Sequence, residues 1–268
     1  MGIGKAVRLG RLFSHPSGRL CSVAVDHFAN YSKGKLPDGL RRIGATLEQI
    51  VAGRPDSVTM QRGIAEHAWK PHAGKIPFIL QTSLLTVDDA YAPELIAYPE
   101  DAIRMGADAI AVVGFVRGNT EARYLRNIAD CVRAAAPYDL PVVVHIYPRK
   151  FGKEAEVSFE PEDIAWAVRC GAECGPDIIK VPYCNDVAAY RQIVAECPVP
   201  VVAAGGPKSK TLADSLEMIA DVVRSGARGA TVGRNVWGFD KVTAAVKALR
   251  AVIHDGKSAA EAMAIADL

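Results

Sequence analysis

The chain has 268 residues, half of them hydrophobic, and its 32 lysine and arginine residues nearly balance its 30 aspartate and glutamate residues, which leaves a formal net charge of +2. This length suits one large domain with a single core, and a near-neutral charge spread along the sequence excludes a nucleic-acid-binding stripe or a polybasic membrane arm. No run of eighteen apolar residues and no secretory signal stands in the sequence, so we expect a cytoplasmic protein with a small-molecule partner.

Short apolar runs alternate along the chain with longer segments of 3.6-residue periodicity, a pattern typical of repeated βα units. Eight runs predict strands, at 20–26, 56–60, 76–80, 107–113, 141–147, 177–181, 200–204 and 229–233. Helices are predicted at 38–52, 62–69, 97–105, 119–136, 161–173, 186–195, 210–225, 237–253 and 258–266. The sequence therefore predicts a single (β/α)8 TIM barrel over 1–268, with a short N-terminal segment and an extra C-terminal helix.

An open, doubly wound α/β sheet is the alternative fold. The G-x-G near the N-terminus, Gly2 and Gly4, lacks a preceding strand and a third glycine. The dinucleotide-binding fingerprint of that fold is therefore absent from the sequence, which favours the barrel.

Polar residues stand at the carboxyl ends of several predicted strands, where the reactive groups of such barrels lie. Asp26 ends strand 1 and Tyr147 ends strand 5, with His145 two residues before it. Lys180 stands inside strand 6, in the apolar run GPDIIKVPYC. Because side chains alternate along a strand, His145 and Tyr147 share one face, which we expect to point into the barrel mouth with Lys180.

Lys180 is predicted to be a nucleophile. Apolar surroundings disfavour the ammonium form of a lysine and leave more neutral amine near pH 7. The amine attacks a ketone to give a carbinolamine and then an iminium ion, which lets an adjacent C–C bond break or form. Tyr147 and Asp26 are suitable proton donors or acceptors. A structural ion pair is the alternative for Lys180, and a hydrogen-bonded core position for His145; the coincidence of Asp26, Tyr147 and Lys180 favours catalysis.

Two glycine-containing loops predict a phosphate site. AAGGPKSKT (203–211) and TVGRN (231–235) each join a late strand to a helix, where exposed backbone N–H groups favour an anion. Arg234 adds a bidentate donor and Lys208 a point charge. The alternative is that these glycines only make tight turns. The predicted phosphate ligands are Gly205, Gly206, Lys208, Gly233 and Arg234.

Five ordered segments carry a family resemblance: VAVDH (23–27), HIYPR (145–149), DIIKVPY (177–183), VVAAGGPK (201–208) and GRN (233–235). They resemble those of the archaeal-type class I fructose-bisphosphate aldolase family, a group of DeoC/LacD-like Schiff-base aldolases. That family also includes an aminodideoxy-heptulosonate synthase and a thiolase that acts on a phosphorylated autoinducer product. The resemblance runs over nearly the whole chain, and residues 39–65 look most like the synthase.

The resemblance implies a barrel in which Lys180 forms the Schiff base, Tyr147 donates or accepts the proton, and Asp26 assists carbinolamine formation and dehydration. It implies no metal and no cofactor other than the covalent lysine iminium. The glycine and arginine positions of the two late loops match those that hold the substrate phosphate. A homo-oligomer is implied, with a decamer as one expected size.

Three places depart from the family pattern, and at one of them Val236-Trp237-Gly238 follows GRN in place of the more usual Ile-Phe-Gln. Phe28, followed by the polar loop 29–39, stands where many relatives have glycine, and we expect it to narrow or reshape the mouth. Gln61 ends strand 2 where synthase-like and thiolase-like members tend to show histidine. We predict that Gln61 and His145 contact the substrate.

The sequence predicts a class I aldolase, a carbon-carbon lyase that cleaves or forms a C–C bond in a phosphorylated ketose or keto compound. A transferase of the transaldolase or thiolase type, and a catalytically inactive phosphate-binding barrel, are the alternatives. A metal-dependent aldolase would need a histidine cluster, and the six histidines fall mostly outside the predicted strand ends, at His15, His27, His67, His72, His145 and His254.

Overall fold

The eight apolar runs predicted as strands form a closed parallel barrel. A computed structural model describes residues 1–27, 36–84, 87–90 and 94–267. The barrel strands are β1 (Leu20–Ala24), β2 (Ser57–Gln61), β3 (Phe78–Gln81), β4 (Ala109–Val116), β5 (Val142–Phe151), β6 (Ile178–Pro182), β7 (Val201–Ala204) and β8 (Gly229–Val232). Each strand pairs in parallel with the next one along the chain, and β8 pairs with β1. The predicted (β/α)8 architecture is confirmed.

Helices surround this barrel on the outside. They are α1 (Ile3–Leu12), α2 (Asp38–Arg41), α3 (Ile43–Ala52), α4 (Arg62–Ala68), α5 (Pro99–Met105), α6 (Glu121–Ala135), α7 (Pro161–Glu173), α8 (Val187–Glu196), α9 (Leu212–Arg224), α10 (Arg234–Trp237), α11 (Val242–Asp255) and α12 (Ala259–Ile265). Among the described residues, no helix has both the length and the apolar character that a membrane span requires.

Two of the predicted helices are divided in the structure. The predicted helix 38–52 breaks at Arg42, whose ψ of 65° is not helical, into α2 and α3. The predicted helix 237–253 begins only at Val242, and the short α10 precedes it. The two changes meet in space, because a Cβ on Gly39 of α2 would lie 2.0 Å from the carbonyl oxygen of Trp237 in α10. This close approach requires a glycine at position 39. It brings the two short helices α2 and α10 into contact, where the sequence pattern predicts two longer helices.

The lower end of the barrel is closed by α1. Leu12 is fully buried, and with Leu9 and Phe13 it packs on apolar side chains that point into the barrel. Those side chains are Leu20, Ile79, Ala109, Ala111, Val143, Ile178 and Val202. The N-terminal segment predicted only as a short extension is therefore an amphipathic plug, and burial of its apolar face keeps it in place.

A polar network fastens the link between α1 and β1 below the barrel. Ser17 Oγ lies 2.9 Å from His254 Nδ1, and His254 Nε2 lies 3.0 Å from Asp56 Oδ2. The same aspartate oxygen accepts a hydrogen bond of 2.6 Å from the backbone N–H of Cys21 in β1. The network ties β1 and α11 together at the face where barrels carry stability rather than chemistry.

Candidate functional site

A cavity of about 1230 Å³ opens at the carboxyl ends of the barrel strands. Predicted site residues that line it are Tyr147, Lys180, Gly205, Gly206, Gly233 and Arg234. One wall is a hairpin that extends β5 beyond the barrel, where Arg149–Phe151 pair antiparallel with Ala155–Val157. Phe28 and the following residues to 35, predicted to shape the mouth, lie outside the described residues, as do 85, 86 and 91–93.

Lys180 points from β6 into the barrel and is only 4% exposed. Its neighbours Ile179 and Val181 face the helices and belong to the outer apolar core, as strand alternation requires. In the parallel register its Cα stands opposite those of His145 in β5 and Val202 in β7. No carboxylate among the described residues forms an ion pair with Lys180, so the structural ion pair considered for it is not found there.

Three buried polar side chains form one connected group, and one of them, His145, stands opposite Lys180 in the strand register. Gln81 Nε2 donates a hydrogen bond of 2.9 Å to Asp26 Oδ2 and lies 3.4 Å from His145 Nδ1. All three side chains are at most 2% exposed. The structure thus brings the predicted residues Asp26 and His145 together through Gln81, a residue that the sequence did not single out.

His27 forms the next part of this group. Its ring stands edge-on to Trp237 at 5.4 Å between centroids, and its Nδ1 lies 3.4 Å from Asp26 Oδ1. Burial lowers the pKa of His27 to about 4; Lys180 and Arg234 add to that effect and Asp26 opposes it. Burial, reinforced by Lys180 and His27, also holds the pKa of His145 well below its usual value. Both rings are therefore neutral at pH 7.

Because the His27 ring is buried in its neutral form, we expect the folded protein to lose stability in acid. In the unfolded chain its pKa returns to about 6.5, so between about pH 6.5 and about pH 4 the unfolded state binds a proton that the folded state does not. The free energy of unfolding should therefore decrease as the pH is lowered through this window. From His27 alone the decrease between pH 7 and pH 5 is on the order of 2 kcal/mol.

Urea denaturation at the two pH values measures this effect, and the variant His27→Gln should show a smaller decrease than the parent protein. The exposed His67 supplies the matched control, since His67→Gln should keep the parent's decrease. Equal pH dependence in the parent and in His27→Gln would contradict the assignment.

Tyr147 lies at the base of the hairpin wall. Its ring packs on Phe115 at 5.6 Å between centroids, and its side chain lines the cavity. Two residues on, the fully buried Arg149 side chain pairs with Asp89 at 2.8 Å, and its guanidinium lies 4.7 Å from the Phe115 ring centroid. This desolvated pair fixes the hairpin against the segment 87–90, so the cavity wall that carries Tyr147 is held rigidly.

The opposite end of the cavity offers hydrogen-bond donors. Gly205 and Gly206 follow β7, and Arg234 donates from Nη2 to the Gly206 carbonyl oxygen at 2.9 Å. Asn235 donates to the Gly205 carbonyl oxygen at 2.8 Å and so links the two loops. A Cβ on Gly233 would lie 2.2 Å from the His27 ring, so only glycine lets that histidine approach. The loops predicted to bind phosphate therefore do meet at one wall of the cavity.

Four predicted site residues do not line the cavity: Asp26 and His145, which belong to the buried group around Gln81, and Lys208 and Gln61. The Lys208 ammonium lies 5.0 Å from the ring centroid of Phe239, and Lys208 is not among the lining residues. Gln61 ends β2 half-buried, next to α4, and does not line the cavity either. Within the described residues, no group of three or more histidine, cysteine, aspartate or glutamate side chains is arranged to hold a metal ion.

Comparison with known proteins places the whole barrel in one family. The family described as DeoC/LacD family aldolase matches residues 20–238. The chain belongs to the DeoC/LacD family of aldolases. The predicted family and the aldolase type of function are thereby confirmed.

Three similar proteins show how far this likeness extends. A fructose-bisphosphate aldolase class 1 from Thermoproteus tenax is 35% identical over 209 residues, 77% of this aldolase and 78% of that protein. A 2-amino-4,5-dihydroxy-6-oxo-7-(phosphonooxy)heptanoate synthase from Streptomyces griseus is 29% identical over 253 residues, 94% of this aldolase and 90% of that protein. The structure of an archaeal fructose-1,6-bisphosphate aldolase, with its catalytic lysine covalently bound to the carbinolamine intermediate, matches with a TM-score of 0.81 at 29% identity, over 93% of this aldolase and 99% of that chain.

Three polar residues of the site were not predicted from the sequence, although Gln81 and Arg149 each stand at a position that indicates them. Gln81 follows the apolar run of β3 directly, so extending that strand by one residue would have placed a polar group at its carboxyl end. Arg149 is two residues beyond Tyr147 and therefore on the same face of β5. His27 adjoins Asp26, and only the assembled barrel shows that its ring turns toward Gly233.

Proposed function

We propose that this aldolase is a class I enzyme that forms a Schiff base between Lys180 and a phosphorylated ketose or keto compound. The observation that carries the proposal is the buried, inward-pointing Lys180 in a cavity that also holds Tyr147 and the Arg234 loop. The solved relative whose catalytic lysine is bound to a carbinolamine supports a lysine of this kind. In this proposal the covalent iminium is the electron sink, so the reaction needs no metal.

The reaction begins with the phosphate. Backbone N–H groups of the loops at Gly205, Gly206 and Gly233, with the Arg234 guanidinium, bind the phosphate group and place the carbonyl carbon near Lys180. The Lys180 amine adds to that carbon to give a carbinolamine. Asp26 assists proton transfer as the carbinolamine loses water and becomes the iminium ion.

Cleavage follows from the electron demand of the iminium nitrogen. Tyr147 removes the proton from the hydroxyl on the β-carbon, and the electron pair of the bond between the α- and β-carbons moves toward the iminium to leave an enamine and a free aldehyde. The α-carbon of the enamine is then protonated, and water hydrolyses the new iminium to release the ketone and regenerate Lys180. Condensation is the reverse sequence. We assign no step to Lys208, whose ammonium lies against the Phe239 ring, or to Gln61, which stands at the start of α4.

Reductive trapping tests the proposal. The protein is incubated with dihydroxyacetone phosphate and sodium borohydride, digested, and analysed by mass spectrometry. Borohydride reduces an iminium to a stable secondary amine, so the label is expected on the peptide that contains Lys180 and only when the ketone is present. A label on another lysine with Lys180 unmodified would reject the assignment.

A transferase is the second candidate, and the likeness to the Streptomyces griseus synthase over 94% of this chain favours it. In that case the Lys180-bound fragment passes to an acceptor instead of being protonated. Product analysis with and without candidate acceptors, coenzyme A included, separates the two outcomes. A catalytically inactive phosphate-binding barrel would show no Lys180 label at all.

Four broader expectations also belong to this proposal. One barrel domain over 1–268 is supported by the unbroken order of the eight strands along the chain. A cytoplasmic location and a sugar-phosphate role are supported by the near-neutral charge and by the phosphorylated compounds in the relatives' names. A homo-oligomer is a further proposal, and light scattering measures it.

A further inference from the structure

We propose that Gln81 is a positioning residue that orients Asp26 and fixes His145 as a hydrogen-bond donor, so that Asp26 rather than His145 serves as the base beside Lys180. This inference rests on the proposed function, because it concerns the same reacting group. It adds a residue whose side chain acts through two others and does not itself line the cavity.

The orientation of the Gln81 amide is set by the backbone. Gln81 Oε1 accepts a hydrogen bond of 3.2 Å from the N–H of Ser83. A backbone N–H can only donate, so the amide oxygen must face Ser83 and the NH₂ group must face the other way. The NH₂ group therefore points toward Asp26 and His145, at 2.9 Å and 3.4 Å.

This orientation decides the tautomer of His145. An amide NH₂ group can only donate, so His145 Nδ1, which lies against it, must present a lone pair. The ring is neutral, and its single hydrogen therefore resides on Nε2. With both nitrogens committed in this way, His145 offers an N–H to a neighbouring oxygen but has no lone pair with which to take a proton from the substrate.

The same amide leaves half of the Asp26 carboxylate available. Oδ2 accepts the hydrogen bond from Gln81, while Oδ1 is buried, lies 3.4 Å from His27 Nδ1 and accepts no hydrogen bond from the described residues. A buried carboxylate oxygen that accepts no hydrogen bond is costly and points to a group that binds there during the reaction. Asp26 Oδ1 is therefore the atom that takes and returns the proton as the Lys180 carbinolamine is dehydrated.

Two variants of nearly equal side-chain size test the proposal. Gln81→Met removes both amide contacts without leaving a large cavity, and Gln81→Glu keeps the acceptor for Ser83 but places a carboxylate oxygen against Asp26 and His145. In both, the rate of borohydride-trapped iminium formation on Lys180 with dihydroxyacetone phosphate should fall roughly 10- to 100-fold, because a hydrogen bond to a charged group is lost. The concentration of dihydroxyacetone phosphate for half-maximal trapping should change less than about threefold, since phosphate binding lies elsewhere in the cavity.

A spectroscopic measurement separates positioning from general damage. In ¹⁵N-histidine spectra, with the His145 signals assigned by comparison with His145→Phe, the parent should show Nδ1 without hydrogen and Nε2 with it. Gln81→Glu should move the hydrogen to Nδ1, which then donates to the new carboxylate. Gln192→Met, which changes an exposed glutamine on α8, is the matched control and should alter neither the spectrum nor the trapping rate.

The outcomes distinguish this inference from the function on which it rests. The role of Gln81 is overturned if Gln81→Met is trapped at the parental rate, or if His145 in the parent protein carries its hydrogen on Nδ1. Either result leaves the proposed role of Lys180 intact. Absence of any Lys180 label in the parent protein overturns the proposed function, and the His145 spectrum still reports whether Gln81 sets the tautomer.

Discussion

The variant Lys180→Met is expected to lose turnover by a factor of roughly 10⁴ or more, because methionine has no nitrogen to form the iminium that the C–C bond cleavage requires. The fold should survive the change. Methionine is unbranched and close to lysine in length, and the position lies 4% exposed between two apolar residues of β6. Removing a buried amine that forms no ion pair with the described residues costs little stability and can increase it.

The measurement is aldehyde release from a panel of phosphorylated ketoses, with binding of dihydroxyacetone phosphate followed by calorimetry. Binding should persist, because the proposed phosphate ligands at Gly205, Gly206 and Arg234 are untouched. Lys257→Met is the control, since Lys257 lies in the linker after α11 at the far end of the barrel and pairs with the exposed Glu261. Retention of more than about a tenth of parental turnover in Lys180→Met would refute the Schiff-base mechanism.

The variant Tyr147→Phe is expected to lower turnover by about 10²- to 10⁴-fold, the range that a general acid or base contributes. Only the phenolic oxygen is removed, and the packing of the ring on Phe115 is preserved. The iminium on Lys180 should still form, since Tyr147 acts after that step. A strong borohydride label combined with slow aldehyde release would therefore place Tyr147 at the cleavage step.

Tyr98→Phe is the matched control for the loss of a tyrosine hydroxyl. Tyr98 is 55% exposed and lies before α5, away from the cavity lining, so this variant should retain parental activity. If Tyr147→Phe lost the Lys180 label as well, Tyr147 would act earlier than proposed, in the formation of the carbinolamine.

Much of the barrel could be predicted because its strands are buried on both faces and read as short apolar runs between helical segments. Lys180 stood out for the same reason, as a charge within such a run. Gln81 did not, because its importance comes from two partners that are 55 and 64 positions away along the chain. Local periodicity carries no information about such distant contacts.

The directions in which long side chains point could not be predicted from the sequence either. Lys208 belongs to the loop predicted to bind phosphate, yet its ammonium turns to the Phe239 ring, a contact that depends on the placement of the segment after α10. The break of the predicted helix 38–52 likewise depends on a tertiary contact, that of Gly39 with Trp237. In both cases packing between distant elements decides the result, and sequence pattern records only the preferences of each element alone.

The amphipathic helix beneath the barrel bears on the order of events during turnover. Leu9, Leu12 and Phe13 fill the lower end of the barrel. Substrates and products therefore reach and leave the Lys180 amine through the mouth of the barrel. In the proposed reaction the covalently held ketone fragment would lie at the inner end of this passage and the aldehyde nearer its exit. In cleavage the aldehyde must depart first, and in condensation it must arrive second, so steady-state kinetics should follow an ordered sequence with the ketone as the inner reactant.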